Sequence, residues 1–324
     1  MAKKPRVLVT RQIPENGLAI LRKHFILDIN KLDKDLSYRE LESRLGGVFG
    51  VVAMMANRFD GELIAKVDSL RVISNFAVGY NNIDVKAATG RGIVVTNTPG
   101  VLTEATADIA FGLLLATARR IVEGDRLVRS GKFKGWTPTL LLGHDLIGKK
   151  IGIVGAGRIG VAVARRATGF GMEILYFSHR RNDDMEGLGA SFAGLDELLK
   201  SSDFISLNVP LNGETRGMIG KKQIGIMKET AILINTARGE VVDEPALISA
   251  LKRKRIAGAG LDVYINEPIV NKEFLKLDNV ILSPHLGSGT LETRAKMAEL
   301  VALNMVAVLK GERPPAVVNP EVLK

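Results

Sequence analysis

Residues 150–181, KIGIVGAGRIGVAVARRATGFGMEILYFSHRR, carry the most chemistry per residue in this chain. The β-branched run 151–154 ends in Gly155-Ala156-Gly157-Arg158-Ile159-Gly160, and an alanine-rich helical segment follows. A second apolar run, 174–177, closes on Ser178-His179-Arg180-Arg181. Strand, glycine turn, helix and strand in succession make G-x-G-x-x-G a dinucleotide-binding unit, which the bare pattern would not. In such a unit Gly155 permits the tight turn, Gly157 lets the backbone approach a pyrophosphate, and Gly160 lets helix and strand pack closely. The N–H groups at the helix start direct partial positive charge at that anion.

The end of the second strand bears on which dinucleotide is bound. NAD-selective folds place a carboxylate there to hold the adenosine ribose hydroxyls. This chain has Ser178 and His179 followed by two arginines. A carboxylate would repel a 2′-phosphate, whereas Arg180 and Arg181 would attract one. The expectation is NADP(H) in preference to NAD(H), with NAD(H) possible. The alternative is that both arginines are solvated loop charges. Asp183 and Asp184 follow closely and could blunt the positive field.

The elements that must position this unit alternate along the chain. Before it, short apolar runs (7–9, 51–54, 72–74, 94–96) alternate with helical patterns at 38–45 and 61–67. A long helix is expected from Thr103 through FGLLLATARR. After residue 150, strands are expected at 151–154, 174–177, 204–209, 231–235, 257–261 and 280–282, and helices at 157–169, 194–200, 221–227 and 243–254. Alternation of this kind predicts α/β architecture with two doubly wound parallel sheets. The stretch 291–310 is expected to be one amphipathic helix, with Leu291, Ala295, Ala298, Ala302, Met305 and Leu309 on its apolar face and Pro314-Pro315 ending it.

Composition narrows the class. The 324 residues, 46% of them hydrophobic, suffice for two cores. No run approaches the ~20 apolar residues of a membrane span, and the N-terminus lacks the pattern of a signal peptide, so the expected location is cytoplasmic. With no cysteine, disulfides and thiolate chemistry are excluded, and the four dispersed histidines make a metal site unexpected. A net charge of +10 invites a nucleic-acid reading. The one dense basic run, 252–255, sits at a predicted helix end and has no interleaved aromatics, so we expect no nucleic-acid partner. Steering of small anions explains the field better.

Four further segments, 76–108, 136–155, 232–247 and 259–290, give the sequence a wider resemblance. It resembles the D-isomer-specific 2-hydroxyacid dehydrogenases, and within them the glyoxylate/hydroxypyruvate reductases. The resemblance implies a discontinuous architecture: a flavodoxin-like substrate domain from 1–100 and 288–324, and a Rossmann-type dinucleotide domain at 101–287. It also implies a homodimer, and reduction of a short 2-oxo acid to the D-2-hydroxy acid.

Three residues match the family's catalytic positions. Arg238, in Thr236-Ala237-Arg238-Gly239, would grip the substrate carboxylate and polarise the carbonyl. His285, in Ser283-Pro284-His285-Leu286-Gly287, would donate the proton in reduction. Glu267, before Pro268, would hold the other imidazole nitrogen, fix its tautomer and favour the protonated ring. Matching positions also imply that the N–H groups of Val78 and Gly79 bind the carboxylate. Met54 and Met55, at the end of an expected strand, line the substrate pocket or else pack in the core. Asp262 would accept from the nicotinamide carboxamide, and Thr106, Thr236, Ala237, His285 and Gly287 would lie along the cofactor. Arg158 and Ile159 would lie against the pyrophosphate, Val209 and Pro210 would flank the adenosine ribose, and Thr215 would also belong to the cofactor site. Trp136, the only tryptophan, would reach a neighbouring subunit's site or else pack in the interior. The rival readings are a 2-ketogluconate or other 2-oxo-aldonate reductase, and a dinucleotide-sensing protein like the C-terminal binding corepressors.

Overall fold

Apolar runs of four or five residues become strands buried on both faces, as parallel sheets covered by helices require. The computed structural model describes residues 4–323. They form two compact units, one of residues 4–102 with 289–323, the other of residues 103–288.

The first unit runs β1 (Arg6–Val9), α1 (Glu15–His24), β2 (Ile26–Ile29), α2 (Tyr38–Arg44), β3 (Gly50–Ala53), α3 (Gly61–Ala65), β4 (Val72–Asn75), α4 (Val85–Gly90) and β5 (Val94–Thr96). Its five strands are parallel in the order β2-β1-β3-β4-β5. This is the flavodoxin-like order, whose direction of winding reverses between β1 and β3. Three of its helices start with side-chain caps: Ser37, in a capping box with Glu40, then Asp60 and Asp84.

The second unit runs α5 (Thr103–Ala118), α6 (Ile121–Arg129), β6 (Lys150–Val154), α7 (Arg158–Gly169), β7 (Glu173–Phe177), α8 (Asp183–Gly187), β8 (Ser191–Phe192), α9 (Leu195–Ser201), β9 (Phe204–Leu207), α10 (Lys221–Ile226), β10 (Ile232–Asn235), α11 (Glu244–Lys252), β11 (Gly258–Leu261) and β12 (Val280–Leu282). Its seven parallel strands lie in the order β12-β11-β10-β9-β6-β7-β8, with the reversal between β6 and β9. The doubly wound, two-sheet expectation holds.

The last helix, α12 (Leu291–Lys310), returns to the first unit, so that unit is discontinuous. It lies along α1, where Asn16 Nδ2 donates to Ala295 O at 2.8 Å, and Ser74 Oγ of β4 donates to Val301 O at 3.3 Å. Its buried stripe is Thr293, Met297, Ala298, Val301, Ala302, Met305 and Val306. The expected stripe is thus partly corrected: Leu291 is exposed and Leu309 only partly buried. Gly311, in the left-handed region at φ 70°, ends the helix before the prolines are reached.

Other departures have local causes. The helix expected through Arg120 stops at Ala118, where His144 N donates to Ala118 O at 2.9 Å and Arg120 turns left-handed at φ 53°. The strand expected to 209 stops at Leu207. The elements α1, β2, α4, α6, α8 and β8 were not expected. Most are short or half-exposed, so their apolar periodicity is weak, and α6 has no buried residue.

Candidate active site and cofactor cradle

Three neighbouring strands of the second unit, β10, β11 and β12, deliver Arg238, Asp262 and His285 just beyond their carboxyl ends, where open α/β sheets bind ligands. His285 Nδ1 lies 2.7 Å from Glu267 Oε2, with both side chains about one-third exposed (30% and 32%). The other carboxylate oxygen, Oε1, accepts from Tyr264 N at 3.0 Å. Burial opposes ionisation of Glu267. The hydrogen bond and charge of His285, the Tyr264 amide and the Arg238 guanidinium outweigh it and hold Glu267 below the usual carboxylate range. Burial likewise lowers the Arg238 pKa, against the opposing charges of Glu267 and Glu240. A desolvated guanidinium beside a carboxylate-held imidazole suits an anionic substrate that develops further negative charge.

Backbone anchors fix these groups. The Asn235 side chain, ending β10, accepts from Ala237 N at 3.0 Å and donates to Arg238 O at 2.9 Å, which sets the turn Thr236–Arg238. Arg238 Nη1 donates to Ala237 O at 2.6 Å. His285 itself is in the left-handed region at φ 56°, an uncommon conformation for a side chain of its size. Asp262, 1% exposed, holds the turn that imposes it by accepting from Leu286 N at 2.7 Å and Gly287 N at 2.8 Å. Tyr264 ties the same loop down, its hydroxyl donating to Ser283 O at 2.9 Å, and burial pushes its pKa up to about 12. Thr106 on α5 lies against Gly287. None of the roles of Asn235 and Tyr264 had a sequence signature, because their partners lie on other strands or on backbone atoms.

The glycine turn has the shape its spacing suggests. Gly155 adopts φ 104°, and a Cβ there would sit 2.7 Å from the Asn208 backbone at the β6–β9 reversal. A Cβ on Gly160 would stand 2.0 Å from Gly155 O. Gly157, capping α7 without a side-chain bond, has open space where a Cβ would be. Arg158 is exposed and Ile159 half-buried on the first turn. Asn208 Oδ1 is a buried acceptor without a partner among the described residues. An open helix start and a glycine cradle together fit a pyrophosphate-bearing dinucleotide, and the orphaned acceptor beside them suits a hydroxyl donor such as a ribose rather than the phosphates. Arg166 fixes α7 to α5, reaching Glu104 at 2.9 Å and Asp108 at 2.5 Å.

At the ribose end the expectations divide. Ser178 Oγ donates to Arg180 O, and His179 Nε2 stands 3.5 Å from Glu214 Oε2. Arg180 is exposed, while Arg181 Nη1 pairs with Glu186 Oε1 at 2.6 Å. Arg181 thus already has a carboxylate partner, where Arg180 has none among the described residues. Val209 is half-buried and Pro210 exposed after β9. Thr215 is buried, and its hydroxyl donates to Pro210 O at 2.6 Å, so it shapes that loop from within.

In the first unit, Val78 and Gly79 follow β4. Thr98 N donates to Ala77 O at 2.9 Å, Asn97 Nδ2 to Val78 O at 2.8 Å, and Asn75 Nδ2 to Gly79 O at 2.7 Å. Because a trans peptide sets C=O and N–H on opposite sides, gripping the first two carbonyls also aims the Val78 and Gly79 N–H groups. Met54 follows β3, half-buried, with its N–H donating to Asn57 Oδ1 at 2.9 Å. Trp136, at 80% exposure, is not interior packing. No group of three or more metal-ligating side chains occurs among the described residues, and none of their helices is long and apolar enough to cross a membrane.

Residues 111–287 match the D-isomer specific 2-hydroxyacid dehydrogenase family, NAD binding domain. The chain is a D-isomer-specific 2-hydroxyacid dehydrogenase by family. It is 54% identical to a glyoxylate reductase of Thermococcus gammatolerans over 99% of this chain and 98% of the relative, and 53% identical to one of Pyrococcus furiosus over 99% and 97%. Among solved structures, the NADPH-dependent glyoxylate/hydroxypyruvate reductase of Sinorhizobium meliloti, in complex with NADP and malonate, superposes with TM-score 0.88 at 35% identity, covering 98% of this chain and 97% of that one. As a 2-hydroxyacid dehydrogenase the chain is an oxidoreductase that uses a nicotinamide dinucleotide, NAD or NADP.

Proposed function

We propose that this dehydrogenase reduces glyoxylate, and with it hydroxypyruvate, to glycolate and D-glycerate, using NADPH in preference to NADH. The supporting observation is the His285–Glu267 pair at 2.7 Å, beside the desolvated Arg238 at neighbouring strand ends. When bound, the nicotinamide supplies a hydride. A carboxylate on Nδ1 calls for a proton there, which leaves Nε2 of His285 to donate to the forming hydroxyl. Arg238 holds the carboxylate and the carbonyl oxygen through its planar fork. The aimed N–H groups of Val78 and Gly79, with Met54 nearby, are assigned to the substrate. Thr106 and Asp262 are assigned to the nicotinamide end, and Arg158, Ile159 and Val209 to the pyrophosphate and ribose. The first unit is read as the substrate domain and the second as the dinucleotide domain.

A homodimer belongs to the same reading. Ile121, Val128, Phe133, Trp136, Leu142 and Ile147 are exposed apolar side chains on and after α6, more than a monomer commonly leaves in one segment. A cytoplasmic setting, where nicotinamide reductants are held, fits this reading.

The test is loss of reduced-nicotinamide absorbance with NADPH or NADH against glyoxylate, hydroxypyruvate, pyruvate and 2-ketogluconate. We expect the fastest turnover with glyoxylate or hydroxypyruvate and NADPH. Turnover with 2-ketogluconate alone would overturn the substrate, and binding of cofactor without turnover would overturn the activity.

A further inference from the structure

The two arginines that end the β7 segment are not equivalent. Arg180 is exposed and pairs with no acid among the described residues. The Arg181 side chain, though 69% exposed, has two partners, and the backbone next to it is anchored. Its Nη1 lies 2.6 Å from Glu186 Oε1, its guanidinium carbon stands 5.4 Å from the Phe192 ring centroid, and the next residue, Asn182, donates its N–H to Tyr176 OH at 3.0 Å. Glu186 is itself placed by the core: the hydroxyl of Tyr176, a fully buried residue, donates to the same Oε1 at 3.1 Å. The Tyr176 ring in turn packs edge-on against Phe192 at 5.4 Å. Asn182 staples this assembly to the glycine turn through Nδ2 and Ala156 O at 2.9 Å. The loop backbone is therefore set relative to the dinucleotide cradle, and Glu186 is set relative to Arg181.

We propose that Glu186 is a cofactor-specificity residue: by neutralising Arg181 it leaves Arg180 as the cation that selects a ribose 2′-phosphate. Asp183 and Asp184, on the exposed first turn of α8, form no ion pair with either arginine. The inference rests on the reading that the adenosine ribose lies at the end of β7. A compensated Arg181 contributes little net field at the phosphate even if its side chain moves, because its carboxylate partner stays close. The preference for NADPH is thereby held below what two adjacent arginines would give, which keeps NADH usable.

The experiment is fluorescence titration of NADPH and of NADH into the full chain and the variants Arg180→Gln, Arg181→Gln and Glu186→Gln, with the double variant Glu186→Gln/Arg181→Gln. Glu186→Gln is isosteric and keeps an acceptor for the Tyr176 hydroxyl, while the arginine variants keep the aliphatic stem and lose the guanidinium, which in Arg181 stands over Phe192. Arg180→Gln is expected to lower the NADPH:NADH affinity ratio about tenfold, and Arg181→Gln to change it less than about twofold. Glu186→Gln should raise the ratio roughly threefold to tenfold, and adding Arg181→Gln should remove that gain. Arg181→Gln costing as much as Arg180→Gln, or Glu186→Gln leaving the ratio unchanged, would overturn the proposal. If the parent has no NADPH preference and Arg180→Gln changes nothing, the NADPH reading fails separately. Glu186→Gln then still decides: a gain for NADPH alone sustains the role of Glu186, and no gain removes it.

Discussion

The carboxyl edge of the second unit's sheet carries two corners built on different principles. At the corner after β10–β12, Arg238, Glu267 and His285 are held by backbone anchors that are themselves largely buried: Asn235, Asp262 and Tyr264. At the corner after β7, Ser178 to Arg181 are mostly exposed, and the carboxylates that pair with them, Glu214 and Glu186, are exposed as well. A reacting atom must be placed to within a fraction of an ångström, which buried, hydrogen-bonded supports achieve. A phosphate's charge is felt over several ångströms, so exposed cations suffice for it. Changes at the first corner should therefore act on turnover by orders of magnitude, and at the second on affinity by small factors.

Arg238→Ala should have the largest effect, lowering kcat/KM about a thousandfold or more in steady-state assays with glyoxylate. A loss below tenfold would move the carboxylate grip elsewhere. Glu267→Gln comes next, with kcat reduced about a hundredfold at neutral pH and NADPH affinity nearly unchanged. The same variant tests the electrostatics. A carboxylate whose folded pKa is depressed stabilises the fold above its unfolded pKa, and that stability is lost as pH falls through the folded value. The stability difference between parent and variant in denaturant unfolding should thus shrink as pH falls below about 5. A difference that grew on acidification would reverse the sign we assign. Asp262→Asn should cost about tenfold in kcat and about 1–3 kcal/mol of stability, since one amide oxygen replaces two acceptors for Leu286 and Gly287. Arg180→Gln should have the smallest effect on rate, with kcat preserved at saturating NADPH and only its affinity reduced.

These corners were unequally legible in the sequence. The fold class could be read because parallel strands buried on both faces appear as apolar runs, and β6, β7, β10 and β12 stand within a residue of where those runs lie. α6 and β8 were invisible because they bury little, and α8 is a single short turn region capped by Asn182. The catalytic trio was legible through motif resemblance. Its supports were not: Tyr264 acts through its hydroxyl on a carbonyl 19 positions away, and Asn97 through its amide on one 19 positions back. Neither spacing is a pattern that local sequence can announce. At the β7 corner the sequence suggested that Asp183 and Asp184 could blunt the arginines, whereas the pairing falls to Glu186, one helical turn further on and within reach of the Tyr176 hydroxyl.

The most direct test sets the two corners against each other. His285→Ala and Arg180→Gln are compared in the same two measurements, turnover at saturating glyoxylate and NADPH, and NADPH affinity by fluorescence titration. The account predicts a crossed result: His285→Ala loses about three orders of magnitude in turnover with affinity nearly intact, and Arg180→Gln loses affinity with turnover intact. Parallel losses of both quantities in both variants would contradict it.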